Sequence, residues 1–222
     1  RKEGLAFALD FQVVDSELLL DAPILAVRRD NVTMPGGGVA SREVVEHLGA
    51  VAIAAVDERG RVAMVQQYRH SVGCRLWELP AGLLDVKGET PVRAAQRELQ
   101  EEAGLAASDW GVMADIVNSP GYCEEACRVF LARGLTEVER PEATGDEEAD
   151  MDFEWVNLDD ACRRIFAGEI TNSIAVAGIF AAREVLRGAG DGSTPLRDPE
   201  SDFELRPTSM ARRRQGPDLK QQ

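Results

Sequence analysis

The apolar and polar positions change period several times, and each change predicts an element. Ile24 to Val27 and Val39 to Val45 flank the turn residues Met34-Pro35-Gly36-Gly37-Gly38 and are expected to pair across them. Gly49 to Val56 is an unbroken apolar run, Asp57-Glu58-Arg59-Gly60 a turn, and Arg61 to Tyr68 the returning strand. Trp110 to Val117, Arg128 to Leu131 and Met151 to Val156 read as further strands. Thr90 suits a helix N-cap, Pro91 the first helical position and Gly104 a terminator, which brackets about four turns of helix. On that helix Val92, Ala95, Leu99 and Ala103 share a face able to pack on a sheet. Asp159 to Ala167 and Ser173 to Leu186 predict two more helices, the second capped by Asn172. This alternation of strands and helices predicts an α/β fold, a mixed β-sheet between helical layers.

Three segments are expected: a small β-element over residues 1–45, a main domain over 46–188 and a mobile tail over 189–222. The tail is drawn from composition, which turns to Gly, Pro, Asp, Arg and Gln after Gly188. Within it Arg212-Arg213-Arg214 reads as a solvated charge run.

With 222 residues, 44% of them hydrophobic, the chain can bury a full core. Its net charge of −14 argues against nucleic acid as a partner, because phosphate backbones reward Lys and Arg. A phosphorylated substrate stays open, since bound cations invert a local field. No apolar run is long enough to span a bilayer, so no membrane contact is expected. Cys74, Cys123, Cys127 and Cys162 lack the spacing of a zinc site and read as reduced thiols in a cytoplasmic setting.

The chemistry concentrates between Gly82 and Leu105. Glu98, Glu101 and Glu102 are spaced i, i+3, i+4, so their carboxylates leave the helix on one side. They repel one another and crowd the helix C-terminus, where negative charge is disfavoured. A hard divalent cation relieves both, and oxygen ligands suit Mg2+ or Mn2+.

From Glu89 to Leu105 the chain reads E-x7-R-E-U-x-E-E-x-G-U, with U aliphatic, and resembles the Nudix box. One departure is that six residues, not the usual five, separate Gly82 from Glu89. Outside the box, Gln67-Tyr68-Arg69, Trp77-Glu78-Leu79-Pro80-Ala81-Gly82 and Ser119-Pro120-Gly121-Tyr122 are similar to the ADP-ribose pyrophosphatase branch of that family. So are Arg42 to His47 and the acidic stretch Glu147-Glu148-Ala149-Asp150. The resemblance implies an α/β/α Nudix sandwich, a homodimer through the N-terminal β-element, and Mg2+-dependent hydrolysis of ADP-ribose to AMP and ribose 5-phosphate.

Carried over residue by residue, the resemblance implies metal ligation by Glu98, Glu102, Glu101 and the Ala81 carbonyl. Arg42, Arg69 and Glu125 become substrate contacts, and Glu148, with Glu147 as runner-up, the general base. Arg97 is assigned to orienting a box glutamate through a bidentate pair. Glu89 is either a further ligand or a partner for the loop. Two other functions stay open: hydrolysis of another nucleoside diphosphate sugar or dinucleotide, and sensing of ADP-ribose without turnover.

Overall fold

The structure is a computed structural model and describes residues 11–141, 151–188, 195–216 and 218–219. Strands β1 (Val13–Asp21), β2 (Leu25–Thr33) and β3 (Val39–His47) form an antiparallel sheet in that order. The expected pairing of β2 with β3 across the Met34 to Gly38 turn runs from Thr33 opposite Val39 to Leu25 opposite His47.

The centre of the molecule is β4 (Ala50–Ala55), buried at every position. It lies between β7 (Ala81–Leu83), antiparallel to it, and β9 (Ala126–Glu137), parallel to it. The long β8 (Leu105–Val117) pairs with the outer edge of β9. A second sheet holds β5 (Arg61–Arg69) between β10 (Asp152–Asn157) and β6 (Cys74–Glu78). The expectation that β5 returns alongside β4 is therefore corrected. The two share only the Val56–Val62 bridge at the turn and then enter different sheets. A strand buried at every position must have its backbone N–H and C=O groups paired on both edges, and β7 and β9 take the two edges of β4.

Helix α1 (Pro91–Ala103) covers one side of the central sheet, and its Val92, Ala95 and Leu99 pack with Val51, Ile53 and Ala55 of β4. Helix α2 (Leu158–Phe166) packs on α3 (Ser173–Gly188) and on β10, and α3 covers the other side, so that Ala161, Ala175 and Ile179 share one core with Ala50, Ala52 and Ala54. Alternate β4 side chains thus feed two cores, which makes the α/β/α sandwich. Leu99 alone contributes roughly 2–3 kcal/mol by leaving water. Asn172 caps α3 by accepting from the Ala175 N–H, as its position predicts. Thr90 occupies the N-cap position of α1 without a side-chain bond, and Gly104 ends the helix at φ 65°, the left-handed geometry that glycine adopts without strain.

The tail differs from its compositional expectation. Residues 195–216 pack along the sheets and end in a short helix, α4 (Ser209–Arg213). Arg128, fully buried on β9, donates to the Ser201 and Asp202 carbonyls and stacks on Phe203. Met210 and Leu219 join Ala26, Leu48 and Leu83 in a small third core. Nor is the arginine run simply solvated, because Arg213 pairs with the buried Glu46, and Arg214 is buried among carbonyls and Asp21. A few anchors of the right shape outweighed a polar average.

Candidate active site

Helix α1 turns its acidic side inward rather than toward water. Glu98 and Glu102 are both buried, while Glu101 is half-buried. Glu102 Oε1 accepts from Gln67 Nε2 at 3.0 Å, and its Oε2 accepts from the Ala81 N–H at 2.9 Å. Strands β5 and β7 therefore fix this carboxylate from two directions. Burial is the main cause that pushes its pKa up to about 8; the Glu98 charge adds to it, and the two hydrogen bonds and the Arg69 charge oppose it.

Gly82 makes room for the neighbouring carboxylate. A Cβ there would lie 2.0 Å from Glu98 Cδ and 2.1 Å from its Oε1, so glycine is required for Glu98 to stay where it is. Arg97 gathers the remaining acids. Its Nε and Nη2 form a bidentate pair with Glu89 at 3.2 and 3.0 Å. Its Nη1 donates to Glu98 at 2.6 Å and to Glu101 at 3.2 Å, and Asp85 lies 3.7 Å away. Burial works to lower the Arg97 pKa, but the bonds and charges of Glu89 and Glu98 outweigh it and hold the group firmly protonated. The bidentate geometry expected of Arg97 is present, with Glu89 as its partner.

Arg69 forms a second bidentate pair, with the buried Glu78 across the β5–β6 hairpin at 3.0 and 2.6 Å. Glu78 and Gln67 were not singled out as functional from sequence. Alternation along β5 carries the signal for Gln67: Ala63 packs in the α1-side core, and Gln67, four residues on, points the same way.

Arg42 and Glu125 stand apart from this cluster. Arg42 is exposed, donates to the Ser41 carbonyl at 2.8 Å, and lines a concavity of about 530 Å³ with Val44, Pro120, Gly121 and Tyr122. The 118–125 loop docks on β3 through the Val45 N–H to Tyr122 O and Glu124 N–H to Val45 O bonds. Glu125, the last residue of that loop, lies beside His47, whose pKa is lowered by burial against the opposing charges of Glu125 and Glu124. Glu147 and Glu148 lie outside the described residues. All four cysteines are free thiols. Among the described residues no helix is long and apolar enough to cross a membrane.

The same residues bear on a cation. Among the described residues no three acidic, His or Cys side chains already converge on one point, because Arg97 engages Glu98 and Glu101. Mg2+ needs no such cage, since it takes one or two carboxylates and completes its shell with water and substrate phosphate. Two buried glutamates that repel each other beside a glycine offer that partial set. The donors fit a hard divalent ion.

The sandwich and the inward-facing carboxylates define the class, an α/β/α protein with an acidic site built on one helix against a mixed sheet. The NUDIX domain profile matches residues 45–174, over half the chain, and the chain belongs to the NUDIX family. It is 53% identical to the ADP-ribose pyrophosphatase of Mycobacterium tuberculosis over 205 residues, spanning 92% of this chain and 97% of that one. The ADP-ribose pyrophosphatase of Bacillus subtilis is 33% identical over 163 residues, 73% of this chain and 87% of its own. A solved ADP compounds hydrolase has the same fold, with a TM-score of 0.70 at 19% identity, covering 84% of this chain and 99% of that one.

Proposed function

We propose that this Nudix hydrolase cleaves the diphosphate of ADP-ribose to AMP and ribose 5-phosphate with Mg2+, or Mn2+ in its place. The observation that carries the reading is the buried Glu98–Glu102 pair beside Gly82, in a chain so similar to two ADP-ribose pyrophosphatases. Glu98 and Glu102, with Glu101 and the Ala81 carbonyl, would hold the cation. When bound, it neutralises phosphate oxygens and makes water more acidic.

The chain's own groups do the rest. Gln67 and the Ala81 N–H hold Glu102 in one orientation, and Arg97 holds Glu98 and Glu101 while Glu89 braces it from behind. Such fixed charges need no rearrangement when the reaction begins. Water adds to one phosphorus, the bond from that phosphorus to the bridging oxygen breaks, and the water's proton passes to a carboxylate base. Glu148 is our assignment for that base, with Glu147 second. Arg42, Arg69 and Glu125 are assigned to the substrate, Arg69 keeping its guanidinium aligned through Glu78.

Strand β1 is exposed throughout and presents Val13, Val14, Leu18, Leu19 and Leu20 along a sheet edge that has no neighbour among the described residues. Such an edge is a template for pairing, and we assign it to a homodimer contact, testable by sedimentation of the intact chain.

The deciding assay measures AMP and ribose 5-phosphate from ADP-ribose with Mg2+, beside ADP-glucose, GDP-mannose, NADH and diadenosine polyphosphates. Preference for ADP-ribose, abolished by a chelator, is the expected result. Preference for another compound overturns the substrate, and tight ADP-ribose binding without turnover establishes a sensor instead.

A further inference from the structure

The segment after residue 194 meets the box loop between β7 and α1 at three places. Val86 forms an antiparallel bridge with Asp218, the Leu219 N–H donates to the Asp85 carbonyl at 2.8 Å, and Arg206 reaches the Glu89 carbonyl at 3.4 Å. Asp85 and Glu89 also turn their carboxylates toward Arg97. The same backbone that receives the C-terminal segment therefore carries the acids that brace Arg97.

What holds the Leu219 end of the segment there is Arg214. Its guanidinium donates to the Leu219 carbonyl and to Asp21 Oδ1, each at 2.7 Å, and to the Ala22 and Pro23 carbonyls. It thus ties the β1–β2 turn to the residue that bonds Asp85. Leu219 itself is buried with Ala26, Leu48, Met210 and Leu83, and Leu83 adjoins Gly82. The loop is one residue longer than the pattern it resembles, and the C-terminal segment packs against it at Asp85 and Val86.

We infer that Arg214 is a positioning residue for the metal-binding helix. It acts through Leu219, Asp85 and Val86 on the Glu89–Arg97 pair, and through that pair on Glu98 and Glu101. The inference rests on the cation site proposed above, but its test does not need turnover.

Mn2+ binding to the substrate-free protein is read by electron paramagnetic resonance, together with amide hydrogen exchange over residues 82–90. Arg214→Ala is expected to weaken Mn2+ by about tenfold, the size seen when a ligand's supporting partner is lost, and to speed exchange in that loop. The ADP-ribose KM should stay near its original value while the Mg2+ concentration for half-maximal rate rises. Arg197→Ala is the comparison, because Arg197 anchors the far end of the segment to Asp115 and to the backbone of Val112 on β8, away from the box loop. If Arg214→Ala does not fold, Leu219→Ala is judged by the same readings. Unchanged Mn2+ affinity, or an equal loss in Arg197→Ala, overturns the inference. Failure of the unaltered protein to hydrolyse ADP-ribose while Mn2+ binding responds to Arg214 overturns the substrate reading and leaves this one standing.

Discussion

Gly82→Ala separates the fold from the chemistry at a single methyl group. Gly82 is not among the glycines at positive φ, so alanine adopts its backbone freely. The three nearest heavy atoms to the new Cβ all belong to Glu98, at 2.0, 2.1 and 2.5 Å. Carbon contacts belong near 3.5–4.0 Å, so the carboxylate must withdraw by roughly 1.5 Å. It sits at the far end of a flexible side chain, and that end moves before the sheet does. The cost is the charge-assisted bond from Arg97, worth about 1.5–3 kcal/mol and less here because Arg97 keeps some contact with water. Alanine returns about 0.4–1 kcal/mol by restricting the unfolded chain. A net loss of about 1–2 kcal/mol lowers Tm by only a few degrees in a domain of this size. The reaction is far less tolerant, since a misplacement of about 1 Å costs roughly 10²-fold. Calorimetry and initial rates on ADP-ribose at saturating Mg2+ read both quantities from one preparation. A kcat close to that of the unaltered protein, with Tm unchanged, refutes the placement of Glu98 against Gly82.

Three further outcomes are expected. With the cation chelated, the raised pKa of Glu102 means the folded state holds its proton where the unfolded state has lost it. Its stabilising contribution is full below the ordinary carboxylate range and falls as pH rises toward about 8, so thermal melts should weaken over that window and flatten in Glu102→Gln, which should also lose hydrolysis. Arg69→Ala strands the buried Glu78 and should cost about 1–3 kcal/mol, whereas the exposed Arg42→Ala should stay within about 0.5 kcal/mol, so a higher KM in the latter, read beside urea melts, reports substrate contact. Glu148→Gln should lower kcat by about 10²–10⁴-fold with metal binding retained, and a larger loss in Glu147→Gln would move the base by one residue.

Local signals served the sequence well where they act locally. Pro91 and Gly104 bracket α1, Asn172 caps α3, and the carboxylate spacing is legible because a helix converts i, i+3, i+4 directly into a face. What escaped depends on distant chain. Nothing within Gly49 to Tyr68 says that β4 abandons β5, since its edges are claimed by residues 81–83 and 127–132. Glu78 reads as an ordinary strand residue until Arg69 is brought across the hairpin. The polar composition of the last residues concealed Met210, Leu219 and two anchoring arginines, whose burial only the assembled surface can offer.

The parallel pairing of β4 with β9 bears on how the molecule comes into being. Ala50 lies opposite Cys127, and between them the chain forms β5, β6, β7, α1 and β8. Closing so large a loop comes at an entropic cost before any contact rewards it, which makes such non-local pairing slow. Helix α1 lies inside that loop, and Glu102 acquires its Gln67 and Ala81 bonds only when β5 and β7 have reached their places. During refolding, cation affinity should therefore emerge with the last, slowest phase rather than with early helix formation.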